Sequence, residues 1–450
     1  MKVMITNTVV LNGGDAAILM AIIRQVRAVY GSETEVVAAD TQPDLAKEYY
    51  PDLTFITPLY VHAFPPKKEG RFQRLRGVLR YSRWYSSLPR LYAAAYAMGN
   101  GSVAAARFLT TKDEWETLRH YAESDVIIST GGTYLVENYW LAPRIFDFRI
   151  ALLLGKPLVL YTQSMGPFTS KYARSTLPSI LKNAALVLLR DRASMEHVLD
   201  LCNASDINAR LSADAAFGLA EPETLKAAEK VELPSSGLQV AVSVRYWPFF
   251  KTMDVEEGMD AYLSAMARMA EHLIENYGAT VTFISTCQGV AGYSYDDSDV
   301  ARDVTARIRQ DLRGRVVVDS RFHRPEDLID ILEGFDLIIA TRMHMAILGL
   351  VAGVPVLPVA YEFKTKSLFE RLGMGDFICD IENLSDGELQ DTLDRVIESL
   401  PSFRRKLFGK VEEERRRAVA AGEDLEVAVP VPTDDEDPDE MSHRREAESA

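Results

Sequence analysis

The densest chemistry in the chain is Thr341-Arg342-Met343-His344. It stands between two apolar runs, Asp336 to Ala340 and Met345 to Ala352, which places a guanidinium and an imidazole at a helix N-terminus on the carboxyl edge of a strand. A planar guanidinium fork matches a carboxylate or a phosphate, and an imidazole exchanges a proton near neutral pH. A buried ion pair plus a core histidine would place the same residues there, and the sequence leaves both readings open. Two more cations follow apolar runs. Lys364 lies in Tyr361-Glu362-Phe363-Lys364, and Arg245 closes Ser243-Val244-Arg245, ahead of Tyr246-Trp247-Pro248-Phe249-Phe250. Arg245 calls for an anionic partner, and Trp247 is expected to offer a flat face to a sugar ring. The alternative is an interdomain salt bridge above an aromatic plug.

Small residues mark further strand ends. Asn12-Gly13-Gly14-Asp15 opens a helix after the first apolar run, so backbone and free N–H groups can approach an anion, with Asp15 read either as a helix cap or as a group that orients an acceptor hydroxyl. Gly131-Gly132-Thr133 and Ser164-Met165-Gly166-Pro167 occupy equivalent places, where ligands enter open α/β sheets, and Arg190-Asp191 ends another run. Glu362 and Glu370 have the Glu-x7-Glu spacing of some nucleotide-sugar transferases, without the accompanying glycine-rich stretch. No histidine has metal-ligand spacing, so no metal is expected.

The elements that must hold these groups are legible as a pattern. Short Val/Ile/Leu runs alternate with segments of helical period: 2–6, 35–39, 125–129, 157–162 and 186–190, then 238–244, 279–285, 315–319, 336–340 and 354–359. They are apolar throughout, as strands covered on both faces must be. The expected fold class is α/β, two doubly wound Rossmann-like domains facing a cleft. Pro222, Pro234 and Ser235-Ser236-Gly237 suggest a hinge, giving an N-terminal domain over 1–225 (acceptor side), a C-terminal domain over 237–417 (donor side) and a disordered acidic tail over 418–450.

Composition narrows the function. The 450 residues are 47% hydrophobic and 26% charged, ordinary for globular proteins. The formal net charge of −15 disfavours a nucleic-acid partner, and residues 423–450 alone hold eleven acidic against two basic residues. Three scattered cysteines, Cys202, Cys287 and Cys379, are expected to be reduced core thiols, and neither a secretory signal nor a spanning helix is read, so a cytoplasmic location is expected. Between Pro65 and Met98, Lys67, Lys68, Arg71, Arg74, Arg76, Arg80, Arg83 and Arg90 interleave with aromatic residues. This stretch is read either as a peripheral contact with an anionic membrane or as a solvated basic helix covering the first domain.

In order, Asn12 to Asp15, Gly131-Gly132, Ser164-x-Gly166-Pro167, Arg190-Asp191, Asp214-Ala215-Ala216-Phe217, Ser243-Val244-Arg245, Arg342-Met343-His344 and Tyr361-x-x-Lys364 resemble the polysaccharide pyruvyl transferase family, from about Lys2 to Gly373. The resemblance implies a fold like that of the glycosyltransferase-B enzymes. It also implies phosphoenolpyruvate as co-substrate, with no other cofactor, and a sugar diol of a cell-surface or exopolysaccharide precursor, lipid-linked or free, as acceptor of a pyruvate ketal. Arg342 and His344 carry over to the donor site. Thr133 stands where the family often has a third glycine, and the acceptor sugar does not carry over. A sugar-nucleotide-dependent glycosyltransferase of the same fold is the alternative. The expected catalytic residues are His344, Arg342 and Asp15. The expected substrate-binding residues are Arg245, Lys364, Asn12, Gly13, Gly14, Gly131, Gly132, Ser164, Gly166 and Trp247.

Overall fold

A computed structural model describes residues 1–65, 73–203, 207–293, 295–384 and 387–431, the side chains of 73–78 excepted. Two all-parallel sheets carry the site. The first comprises β1 (Lys2–Thr8), β2 (Glu35–Asp40), β3 (Thr54–Ile56), β4 (Val126–Ser129), β5 (Gly132–Leu135), β6 (Leu158–Met165), β7 (Leu186–Leu189) and β8 (Ala209–Leu211). Its order is β3-β2-β1-β4-β6-β7-β8, with β5 paired to β6. The second comprises β9 (Gln239–Ser243), β10 (Thr280–Phe283), β11 (Val316–Val318), β12 (Leu337–Ala340), β13 (Val356–Ala360) and β14 (Cys379–Asp380), ordered β11-β10-β9-β12-β13-β14.

All ten apolar runs are strands. The additional four, β3, β5, β8 and β14, have two to four residues each, too short for a periodic signal. In the first sheet the order reverses between β1 and β4, and in the second between β9 and β12. Crevices open at such switch points beyond the carboxyl ends of the strands, and the glycine turn, Arg245 and Arg342 all follow strands that border them.

The domains share a core. Residues of β1 and of the Gly13–Tyr30 helix belong to one buried cluster with Ile338, Ile347 and Val356 of the second domain. A separate cluster fills the outer face of each sheet.

The chain end corrects the expected boundaries. A helix runs over Glu388–Ala428. Leu389, Leu393, Val396 and Leu400 pack into the second domain, whereas Leu407, Phe408, Val411, Ala418, Ala421 and Leu425 pack into the shared core. Tyr30 Oη donates to the Val429 carbonyl (2.8 Å) and Ser212 Oγ to that of Arg417 (3.1 Å). Residues 418–429 are therefore part of the fold and not of an acidic tail. Their small and apolar residues recur at helical spacing between the charges and form a buried stripe. The rest of the expected tail, 432–450, lies outside the described residues.

Of the basic aromatic stretch, Lys67, Lys68 and Arg71 and the side chains of Arg74 and Arg76 lie outside the described residues. Within the Gln73–Gly99 helix, Trp84, Leu91, Ala94 and Ala95 are buried against the first domain. Arg90 grips Glu114 with both arms (2.7 and 2.8 Å). Arg80 lies 3.6 Å over the Phe64 ring. Cys202, Cys287 and Cys379 are buried, and no disulfide joins them among the described residues.

Candidate active site

The turn after β1 reaches across to the second domain. Asn12 caps the Gly13–Tyr30 helix, its Oδ1 accepting from Gly14 N at 3.1 Å, so the capping role open to Asp15 belongs to Asn12. Gly13 N donates to the Thr286 carbonyl of the second domain at 2.8 Å. A Cβ on Gly13 would stand 2.2 Å from that oxygen, and one on Gly14 would stand 2.4 Å from His344 Nδ1. Both glycines are required by close approach. Asp15 sits in the first turn, half-buried. Burial raises its pKa, with His344, Lys364 and Arg190 acting against that rise.

His344 lies in the first turn of the Met343–Val351 helix, on the opposite side of the cleft from Asp214. Its Nε2 is 3.6 Å from Asp214 Oδ2 and is buried with no hydrogen-bond partner among the described residues. Asp214 is fully enclosed. Burial favours its neutral form, but Arg190 and then His344 outweigh that and hold its carboxyl well below the usual range. Arg190, also buried, donates to Asp214 Oδ2 (2.5 Å), Ser164 Oγ (2.7 Å) and Thr133 Oγ1 (2.6 Å). Ser164 in turn donates to Asp191, which caps the Arg192–Leu201 helix.

Lys364 reaches the same point from the second domain. Its Nζ lies 2.8 Å from Glu362 Oε2 and 3.4 Å from Thr133 Oγ1. The residues of the Glu-x7-Glu spacing part here, because Glu362 pairs with Lys364 whereas Glu370 faces solvent. A cavity between the domains is lined by Ser164, Arg190, Asp214, Met343, Lys364 and Arg371. Gly131 packs on Thr162 and Gly166 on His197, and Gly132 opens β5 beside them; these glycines shape the floor.

Arg342 is engaged. Its Nε and Nη2 donate to the two oxygens of Asp297, each at 2.7 Å, and Ser285 Oγ donates to the same carboxylate at 2.6 Å. Burial works against this guanidinium, and Asp297 more than restores its charge. The ion-pair reading thus holds for two of its nitrogens, and Nη1 has no partner among the described residues.

Arg245 forms no ion pair among the described residues; its guanidinium lies 4.3 Å from the Tyr361 ring centroid and 5.2 Å from that of Trp247. Trp247 corrects expectation. It is 7% exposed, packed on Tyr361 (4.5 Å) and Phe249 (5.2 Å), because the loop after β9 folds its largest ring inward. It supports Arg245 and offers no open face.

The structure thus brings Gly14, Asp15, Ser164, His344 and Lys364 together, with Arg245 and Arg342 at the neighbouring switch point. Sequence reasoning left Arg190, Asp214, Thr133 and Asp297 out of the site. Arg190 and Asp214 stood inside recognisable motifs; Asp297 had no signal, since its partner is 45 residues away.

The model of the family described as polysaccharide pyruvyl transferase matches residues 12–362, a range that holds the Asn12 turn, Arg190, Asp214, Arg245, Arg342 and His344 and ends just before Lys364. The chain belongs to that family. The amylovoran biosynthesis protein AmsJ of Erwinia amylovora is 28% identical over 298 residues, covering 65% of this chain and 70% of that protein. Among solved structures, a glycosyltransferase from Rickettsia africae is similar with a TM-score of 0.53 at 12% identity, over 95% of this chain and 97% of that one. An enzyme described as a putative UDP-N-acetylglucosamine 2-epimerase from Listeria monocytogenes has a TM-score of 0.53 at 13% identity, over 95% of each chain. These likenesses show the fold: a family transferase built on the two-domain glycosyltransferase-B architecture.

Proposed function

We propose that this transferase moves the enolpyruvyl group of phosphoenolpyruvate onto two hydroxyls of a saccharide, forming a pyruvate ketal on a cell-surface or exopolysaccharide precursor and releasing phosphate. The observation that carries the reading is His344 Nε2. It is a buried, unpartnered nitrogen between an anionic Asp214 and a glycine turn, beside a cavity that Arg190 and Lys364 line, with Arg342 and Arg245 at the neighbouring switch point.

The chemistry needs a proton delivered to the methylene carbon, C3, of phosphoenolpyruvate. One acceptor hydroxyl then bonds to C2 and loses its proton, and the second hydroxyl displaces phosphate, its proton leaving with that group. Arg245 and the free Nη1 of Arg342 suit the carboxylate and phosphate of the donor, and Lys364 adds a third cation. His344 is the group to carry the proton, and the Asp214 carboxylate 3.6 Å from its Nε2 favours the protonated ring. Asp15, on the acceptor side, suits orienting or deprotonating a hydroxyl.

A lipid-linked acceptor would place the work at the inner face of the cytoplasmic membrane. No helix among the described residues is long and apolar enough to cross a membrane. The exposed rings of Tyr81, Tyr85, Tyr139 and Trp140 suit a peripheral contact.

The test is phosphate release from phosphoenolpyruvate across a panel of lipid-linked and nitrophenyl sugars, with the product expected to gain one pyruvate less one water. Use of uridine or guanosine diphosphate sugars with phosphoenolpyruvate ignored would overturn the reading in favour of glycosyl transfer.

A further inference from the structure

A second charged group faces the first domain's cleft and has no part in donor chemistry. Arg144 lies in the first turn of the Ala142–Leu153 helix. Its Nη1 donates to Tyr60 Oη at 3.1 Å, and its guanidinium lies 5.1 Å from the Tyr134 ring centroid and 5.7 Å from that of Tyr60. Among the described residues it has no ion pair, and the carboxyl that acts on it through space is Asp147. The nearby carboxyl, Asp147, accepts from Tyr121 Oη through Oδ1 (3.2 Å), its Oδ2 has no hydrogen-bond partner among the described residues, and burial pushes its pKa up to about 7 against the pull of Arg144, so it neutralises the guanidinium only in part. The two rings favour the cation, and none of its nitrogens is buried without a partner, which leaves the guanidinium within reach of an anion.

The floor beside it has the opposite need. Tyr134 Oη bonds to Ser129 Oγ (3.0 Å) and Gln163 Nε2 (2.8 Å), and Asn7 Nδ2 donates to Ser129 Oγ (3.1 Å). With their amide nitrogens so committed, the carbonyl oxygens Asn7 Oδ1 and Gln163 Oε1 are buried without a donor. Asn7 is also held at φ 64°, in the left-handed region. Two acceptors lacking donors beside a partly neutralised cation describe a ligand with both hydroxyls and a negative group.

We infer that Arg144, walled by Tyr60 and Tyr134 above the unpaired oxygens of Asn7 and Gln163, receives an oxyanion, phosphate or carboxylate, carried by the saccharide acceptor. The site lies at the carboxyl ends of β1, β4 and β6. It meets the donor groups through Thr133, the neighbour of Tyr134, which touches Arg190 and Lys364. The word acceptor rests on the proposed reaction; the anion site itself does not.

The experiment is calorimetric titration of the full chain, without phosphoenolpyruvate, using glucose 1-phosphate, glucuronate, methyl glucoside and inorganic phosphate. Glucose 1-phosphate or glucuronate is expected to bind roughly tenfold or more tightly than methyl glucoside, and which one does so names the oxyanion. Arg144→Gln is expected to abolish that preference and Arg144→Lys to keep part of it. Circular dichroism melting shows that each variant is folded, and if Arg144→Gln unfolds, the Arg144→Lys titration decides alone. Equal binding of charged and neutral sugars, or an unchanged preference in folded Arg144→Gln, overturns the inference. So does inorganic phosphate binding as tightly as glucose 1-phosphate. Charged sugars bound through Arg144 by a protein that leaves phosphoenolpyruvate untouched would overturn the proposed reaction and leave this site standing.

Discussion

His344 Nε2 and Asp214 Oδ2 face each other across the cleft at 3.6 Å, one from each domain. Asp214 is simultaneously the counter-ion of Arg190 and accepts Ala216 N at 3.1 Å, so its position does not depend on the histidine. That asymmetry separates the roles. His344→Gln is expected to lower phosphate release ~10²-fold or more with little change in melting temperature, because an amide cannot carry the proton. Asp214→Asn is expected to lower both, since Arg190 is left buried without its anion. A fully active His344→Gln variant would end the proton-carrying assignment.

For Arg342 the double hydrogen bond to Asp297 sets the expectation. Arg342→Lys retains charge and loses the fork, leaving Asp297 with one good contact fewer. It should destabilise by about 1–3 kcal/mol and weaken the response to phosphoenolpyruvate. A double-mutant cycle with Asp297→Asn, read by denaturant melts, should return a coupling of about 1 kcal/mol or more. Additive effects would show that the pair contributes nothing.

Gly14→Ala is predicted to strike the site directly, because the new methyl would lie 2.4 Å from the imidazole. Turnover should fall while far-UV circular dichroism stays unchanged. Wild-type rates in that variant would mean that the ring has room to move.

Asp147 predicts a pH dependence of stability. Burial raises its pKa from 3.8 to about 7, so between these values the folded chain binds more protons than the unfolded chain and stability falls as pH rises. The penalty is absent below about pH 4, grows through the window and is complete above about pH 7, on the order of 4 kcal/mol. Asp147→Asn should therefore gain melting temperature relative to wild type at pH 8 and little at pH 4.5. An equal difference at both values would contradict this.

Truncation separates the packed segment up to Val431 from the acidic residues that follow it. Ending the chain after Val431 should leave the melting temperature unchanged. Ending it after Ala421 removes Leu425, fully buried, and the Val429 carbonyl that binds Tyr30, and should cost about 2–4 kcal/mol. Identical melts would show that the last turns add nothing.

Both sheets were legible because buried parallel strands are continuous apolar runs, and their carboxyl ends then located Arg245, Arg342, His344 and the Asn12 turn. What was not legible depends on tertiary partners. Nothing in the sequence near Trp247 says that it turns inward, and nothing near Arg342 announces Asp297. The 418–429 helix was masked by composition: abundant charge on one face concealed the Ala418, Ala421 and Leu425 stripe on the other. Arg144 escaped notice because Tyr60 lies 84 residues earlier in the chain, and its lack of an ion pair among the described residues is a fact of space alone.

The last helix has a consequence for synthesis. The Gly13–Tyr30 helix is covered by residues 407–429, which are made only after both sheets have been synthesised. A nascent N-terminal domain therefore exposes that apolar face until those residues emerge, and domain-by-domain folding in the order of emergence is closed to it. Completion of the first core awaits the synthesis of residues 407–429, and until then the growing polypeptide is a substrate for chaperones that shield apolar surface.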